Sequence, residues 1–417
     1  MSYRDPDEVP LRTIVARRVL RWVRREVETP LFGRLLLYQA CSVAGDALVA
    51  LALAGSLLFS VPDTSTRNQV LLYLALTLAP LAVVAPVLAG LLDRHGAGLR
   101  ITLIASGAGR AFIAWLVVPR LDSVFLFPLA FGVLALSRAA LVARGAMLPS
   151  AAPADRTLVS ANSSIAKTSA LAGIVVLPIG IGIGRVFGAT ANLRLASLIY
   201  LVAALPALRL PSRREVPDVA VRMEARRVRR PLGVRQSVVA TAALRFLMGF
   251  LAFHLAFGLA REQLTDIGLG VLIGAAALGS LIGGVLSGRA RGGIREEGIV
   301  LSALAVAGVA GIAGGMWFSI PLATALVLGF GVASGASKVA FDSLVQRATE
   351  EVARGWLFAR YEAILQLSWV MGALIPVAVA FPLEAGIMAA GGLSVLLTAV
   401  LAVSRRRGAT PAAVQGR

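Results

Sequence analysis

Long apolar stretches alternate with short polar, arginine-bearing ones almost from end to end of this chain. Apolar runs occur at about 35–60, 69–92, 101–118, 123–143, 160–184 and 195–208, and after a break at 236–259, 267–287, 297–315, 321–343, 356–380 and 386–403. Each approaches the roughly 20 residues that a helix needs to cross the hydrocarbon core of a bilayer. No run shows the alternation of a barrel strand, so the pattern predicts membrane helices. The break at 209–235 holds Pro211, Pro217 and Pro231 with nine arginines and too little apolar surface to fold alone, so it reads as a linker.

These runs predict an all-α membrane protein of twelve transmembrane helices in two six-helix, pseudo-symmetric halves. The boundaries are a basic leader at 1–34, a first bundle at 35–208, a linker at 209–235, a second bundle at 236–403 and a tail at 404–417. Within the leader, Leu11, Val15, Val19, Trp22 and Val23 recur at helical spacing opposite Arg17, Arg18, Arg21, Arg24 and Arg25. That is the pattern of an amphipathic helix lying on an anionic cytoplasmic leaflet. The halves echo each other weakly, since Ala154, Leu158 and Gly173 recur as Ala353, Leu357 and Gly372. In the eighth run, the pairs Gly270/Gly274, Gly279/Gly283 and Gly284/Gly288 predict close helix crossings.

Composition agrees: 58% of residues are hydrophobic and only 15% charged, with a mean hydropathy of +0.81. The net charge of +19 invites a nucleic-acid reading until its placement is examined. Most arginines fall on the side of residue 1, and the opposite loops hold Arg67, Arg120, Arg185, Arg194 and Arg261. By the positive-inside rule both termini and the linker are cytoplasmic, the charge is topological, and no nucleic-acid partner is expected. The expected location is the plasma membrane, as a multi-pass monomer. Cys41 is the single cysteine, so no disulfide is expected. The first apolar run follows about thirty polar residues, so no cleavable signal is expected either.

Ionisable groups inside a bilayer are costly and usually face the bundle interior, a water-filled cavity or a partner. Asp46, Arg110, Arg138 and Lys167 lie in the first half, and Arg245, Glu362 and Gln366 in the second. These are the candidates for a coupling site or substrate cavity, with Asp46 and Arg110 expected at matching depth as a charge pair able to exchange a proton for a cationic substrate. Lys338 and Asp342, four apart near a helix end, read as a structural pair, and His254 as an interfacial histidine.

One charged turn stands out between the second and third runs: Gly90, Leu92, Asp93, Arg94, Gly96 and Arg100. Gly90 permits close helix approach, Asp93 can accept hydrogen bonds from a neighbouring helix start, and Arg94 and Arg100 hold the loop in the cytoplasm. The pattern resembles the signature between helices 2 and 3 of major facilitator superfamily transporters. A degraded copy follows the eighth run, with Ser287 in place of the acid. The stretches Met147–Ser163, Gly45–Leu48 and Val352–Ala363 resemble the drug-exporter branch that includes bacterial macrolide, siderophore and lysophospholipid exporters. The resemblance implies that Gly90, Asp93, Arg94, Gly96 and Arg100 gate the conformational change, with Arg144 and the start of the eleventh helix as candidate partners of Asp93. The span-five Gly-Pro of antiporter branches appears here as Leu177-Pro178.

The leading expectation is a secondary transporter, a gradient-driven exporter of an amphipathic or cationic small molecule working by alternating access, with a proton as candidate coupling ion. A lipid or lysolipid flippase of the same fold is one alternative, and a non-transporting sensor or scaffold another. No phosphate-binding loop of the G-x4-G-K-[ST] type appears. With two histidines and one cysteine, the ingredients of an enzyme site are scarce, so no cofactor, metal or catalytic residue is expected.

Overall fold

The computed structural model describes residues 30–57, 98–121, 123, 125–211, 232–261, 266–288, 296–317, 319–379 and 381–409. Within them lie eleven α-helices: α1 (Pro30–Leu57), α2 (Gly98–Val117), α3 (Leu126–Ala151), α4 (Leu158–Phe187), α5 (Ala189–Leu208), α6 (Leu232–Arg261), α7 (Asp266–Ser287), α8 (Glu296–Met316), α9 (Ile320–Arg347), α10 (Glu351–Ala378) and α11 (Leu383–Ala409). Ten are long and apolar enough to cross a membrane, and α7 contributes a shorter apolar stretch at Gly274–Ser287. This is a multi-pass membrane protein. Lipid offers backbone groups no hydrogen-bond partners, so a chain this apolar satisfies them within helices. Residues 1–29 of the expected leader and the run at 69–92 fall outside the described residues, as do Gly90, Asp93, Arg94 and Gly96.

Several helices outrun their apolar segments. The fourth run was expected to end at 143, but α3 continues to Ala151, because Ala146, Met147 and Leu148 are buried there against neighbouring helices. Arg144 is therefore helical rather than in a loop. The sixth run gains a turn and a half at its start, which takes Arg194 into α5, and α1 and α6 begin at Pro30 and Leu232, inside the expected leader and linker. Arg100 lies in the first turn of α2. Thr157 starts α4 by accepting a hydrogen bond from the Ser160 amide at 3.2 Å. Gly188, at φ +79°, reverses the chain between α4 and α5 in a conformation that side chains with a Cβ rarely adopt.

Helices α1 to α5 pack on one another, as do α6 to α11. One apolar cluster of the first group joins Phe32 and Leu35 at the start of α1, Leu103 near the start of α2, Met147 and Leu148 near the end of α3, Ala161 of α4 and Ala207 of α5. A second joins Ala52, Val117, Leu126 and Leu193 at the opposite ends. Helices α2 to α5 thus alternate in direction, while α1 runs parallel to α2, and the end of α5 nearest the 209–235 linker lies on the side of the starts of α1 and α2.

The predicted glycine crossings are only partly realised. A Cβ on Gly279 or Gly283 of α7 would strike the backbone carbonyl of Leu328 or Val332 on α9, and one on Gly335 of α9 would strike that of Ser280. These helices touch backbone to backbone. Gly274, by contrast, has nothing within 4 Å and packs no partner. The internal echo also fails at its last position, since Gly372 abuts the Phe246 carbonyl whereas Gly173 faces open space. His254 is buried against the start of α11, bonded through Nε2 to the Leu383 carbonyl at 3.0 Å and stacked on Phe250.

Candidate functional site

The two groups meet at their linker-side ends, and polar side chains make the junction. Asn162 of α4 donates to Gln346 Oε1 at 2.6 Å and Ser343 Oγ at 3.1 Å on α9, while Gln346 Nε2 donates to the Gly145 carbonyl of α3 at 2.9 Å. Asn162, Ser343 and Gln346 are all buried. Beside them Ser163 Oγ points to the Val285 carbonyl of α7 at 3.5 Å, and Gly145 lies against the Phe358 ring of α10. Away from this seal the apolar side chains of α4 become exposed. Helix α4 is buried at Ala161–Ile165 and Thr168, but Ile174, Val175, Leu177, Ile179 and Ile181 are exposed.

Two charge centres lie beyond the seal, both bonded to α3. The first is built on Arg110 of α2, which is 0% exposed. Its guanidinium donates through Nη1 to Asp46 Oδ1 at 3.1 Å, Ser42 Oγ at 2.8 Å and Ser137 Oγ at 3.3 Å, through Nη2 to the Tyr38 hydroxyl at 3.2 Å, and through Nε to the Ser106 carbonyl at 3.0 Å. The guanidinium carbon lies 4.5 Å from the centroid of the Tyr200 ring, a cation-π contact. A Cβ at Gly45 would fall inside that ring's space, so the glycine before Asp46 makes room for the stack.

Asp46 Oδ1 also accepts from the Tyr200 hydroxyl at 2.6 Å and from Ser137 at 2.9 Å. Its other oxygen has no bonded donor among the described residues, and the side chain is 41% exposed. The pair is therefore asymmetric: the cation is locked into four helices, and the anion is partly exposed, with one oxygen lacking a donor among the described residues. A buried guanidinium needs this many partners, because an uncompensated charge in the interior costs several kcal/mol.

The second centre joins the two groups directly. Arg138 of α3 binds Glu362 Oε1 of α10 at 3.2 Å, and Lys338 of α9 binds Glu362 Oε2 at 3.3 Å and Asp342 at 2.8 Å. Glu362 is 9% exposed at its side chain and Arg138 is 35% exposed. Arg144 and Arg245 also interact electrostatically with this centre, Asp342 and Glu362 acting on Arg144, and Arg245 on Lys338 and Glu362. Gln366 lies one turn beyond Glu362 on α10. Lys167 is half-buried on α4 and has an interaction of its own, but the bonds just described are made by other side chains. Arg100 is half-buried at the start of α2.

Among the described residues no three His, Cys, Asp or Glu side chains are grouped to hold a metal ion.

No protein-family model matches the chain. Among curated proteins, it is 30% identical over 407 residues to uncharacterized protein ML2143 of Mycobacterium leprae (strain TN), a match spanning 87% of this chain and 69% of that protein. The chain belongs to the ML2143 family. Within this family it is also 29% identical over 403 residues to uncharacterized protein Rv0876c of Mycobacterium tuberculosis (strain ATCC 25618 / H37Rv), spanning 87% of this chain and 72% of that one. Among solved structures, this ML2143-family fold resembles the human organic anion transporter MFSD10 (TETRAN), with a TM-score of 0.67 and 16% identity over 91% of this chain and 98% of that chain. It also resembles a bacterial homologue of the iron transporter ferroportin in an outward-facing state, with a TM-score of 0.68 and 18% identity over 90% of this chain and 98% of that chain. Likenesses at these identities show that the chain shares the fold of these two proteins.

Several residues of both centres escaped the sequence reading, although their spacing was visible. Tyr38, Ser42 and Asp46 recur every four residues and so form a polar stripe on one face of α1, and Ser106 and Arg110 do the same on α2. Lys338, Asp342 and Gln346 continue the pattern on α9, where the apolar run ends too early to include Gln346. Tyr200 carries no such signal, because its role depends on α5 crossing α1 at Gly45.

Proposed function

We propose that this protein is a secondary transporter that exports an amphipathic small molecule by alternating access, driven by a gradient. The observation that carries the reading is the one-ended junction: two helix groups held together at the linker side by a buried amide seal, over charged side chains that remain partly exposed. Two six-helix halves rocking about these centres would open the seal and close the opposite end. With both termini and the linker in the cytoplasm, the described conformation is outward-facing. The neighbours of known function, an organic anion transporter and an iron transporter homologue, support transport as the activity. The exporter-branch reading and the gating role of Gly90, Asp93, Arg94, Gly96, Arg100 and Arg144 remain part of this proposal.

In rocking, Arg138 and Glu362 separate or re-pair while Arg110 stays fixed within its own group. The test is to tie the seal shut. With Cys41 replaced by alanine, cysteines at Gly145 and Gln346 cross-linked by a short bismaleimide should stop flux of every transported dye in proteoliposomes, whereas either single cysteine should leave it running. Unaltered flux through the cross-linked protein refutes rocking. Epitope tags at residue 1, within 211–235 and at 417 should all report the cytoplasm, and a tag within 61–68 the opposite side. An external linker refutes the assigned direction.

A further inference from the structure

We infer that the transported molecule carries an anionic group, and that Arg245 is the side chain left free to bind it. The inference rests on the transporter reading and names its substrate class. At the second centre the cations are Arg138, Arg144, Arg245 and Lys338, and the anions are Asp342 and Glu362. Four positive groups face two negative ones. Arg138 and Lys338 take both Glu362 oxygens, and Lys338 also holds Asp342, so the two acids are already committed. Arg245 makes no hydrogen bond or ion pair among the described residues, and neither does Arg144, whose Nε is buried without a partner. The first centre adds no net charge, since Arg110 and Asp46 offset each other.

Uncompensated cations at membrane depth are expensive, and a protein that retains them usually gives them a function. A cationic substrate would enter a field that already repels it. A carboxylate, phosphate or sulfate would instead supply the missing counter-charge, and the planar fork of an arginine suits the two oxygens of such a group. This replaces the expectation of a cationic substrate. That expectation rested on Asp46, whose charge Arg110 already neutralises.

The test uses octyl phosphate and octyl sulfate, with octyltrimethylammonium and octyl glucoside as chain-matched cationic and neutral controls, in thermal-shift titrations of the purified protein. Dye flux in proteoliposomes follows, comparing carboxyfluorescein with rhodamine 123. Wild-type protein should be stabilised by the anionic amphiphiles only, and Arg245→Gln should weaken that binding ~10- to 100-fold, the range for losing a charge-assisted hydrogen bond. Arg245→Lys, which keeps the charge but not the fork, should retain part of it and so control for folding. If Arg245→Gln does not fold, the wild-type selectivity decides alone. Stabilisation by the trimethylammonium compound, or flux of rhodamine 123 with carboxyfluorescein excluded, overturns the inference and leaves the transporter reading intact. Anion binding that depends on Arg245, with no flux of either dye, upholds the inference and counts against transport. Equal stabilisation by all four amphiphiles also overturns it.

Discussion

Replacing Gln346 with leucine tests whether the linker-side seal sets the balance between open and closed states. Leucine nearly preserves the volume, so the change is confined to hydrogen bonds. Two are lost across the junction, Gln346 Nε2 to the Gly145 carbonyl and Asn162 to Gln346 Oε1. Asn162 retains the Leu158 carbonyl and Ser343, so it is not orphaned. A buried hydrogen bond contributes a net ~0.5–1.5 kcal/mol, which places the loss at about 1–3 kcal/mol. The penalty falls on the closed state alone, because on opening the same groups reach water. A difference of that size shifts the closed-to-open ratio by ~5- to 150-fold.

The assay is the rate of maleimide labelling at Ser163→Cys in a Cys41→Ala background, since Ser163 is fully buried at the seal. Labelling requires opening, so the rate should rise by the same ~5- to 150-fold in Gln346→Leu. An unchanged rate with a lowered melting temperature would show that the amides hold the fold without gating it. A slower rate would have the wrong sign and refute the argument outright.

The asymmetry of the first centre predicts unequal costs. Asp46→Asn, which leaves the fully buried Arg110 without a counter-charge, should destabilise by ~3–5 kcal/mol, while Arg110→Gln, which leaves a partly hydrated and screened carboxylate, should cost less, both read from denaturation of detergent-solubilised protein. Exchanging the pair as Asp46→Arg with Arg110→Asp should fail to restore stability, because an aspartate at 110 would face the Ser106 carbonyl that Arg110 now satisfies. Recovery to wild-type stability would show that the surrounding bonds matter little. Gly283→Val should cost at least ~1–3 kcal/mol by driving a side chain into the Val332 backbone, whereas Gly274→Ala should change the melting temperature negligibly.

Apolar runs located every described helix, because in a bilayer the length and hydropathy of a segment nearly suffice to place it. They misplaced helix ends where protein rather than lipid does the burying, as at Ala146–Ala151 of α3 and at Gln346 of α9. The charged members of both centres could be read one by one from their cost in a membrane. Their partners could not all be read this way. Ser137, Tyr200 and Asn162 are ordinary polar residues until a neighbouring helix brings a guanidinium, a carboxylate or an amide to meet them. Net charge carried an expectation about topology, but not the sign of the field at the second centre. It depends on which acids are already paired, and that is a property of four helices together.

Helix α3 ties these features into one device. Ser137 bonds both members of the first centre, and the next residue, Arg138, crosses to Glu362 in the second. Two turns further on, Gly145 offers its carbonyl to Gln346 at the seal. On the proposed rocking, any movement of α3 that breaks the seal also strains the Arg138–Glu362 pair. An anionic substrate at Arg245 would be placed to compete with Glu362 for the surrounding cations. Releasing Arg138 from Glu362 removes one of the direct bonds that hold the groups together, so binding lowers the cost of opening. In this reading Ser137 and Arg138, adjacent in sequence, divide their tasks. Ser137 keeps the first group intact while Arg138 lets the second go.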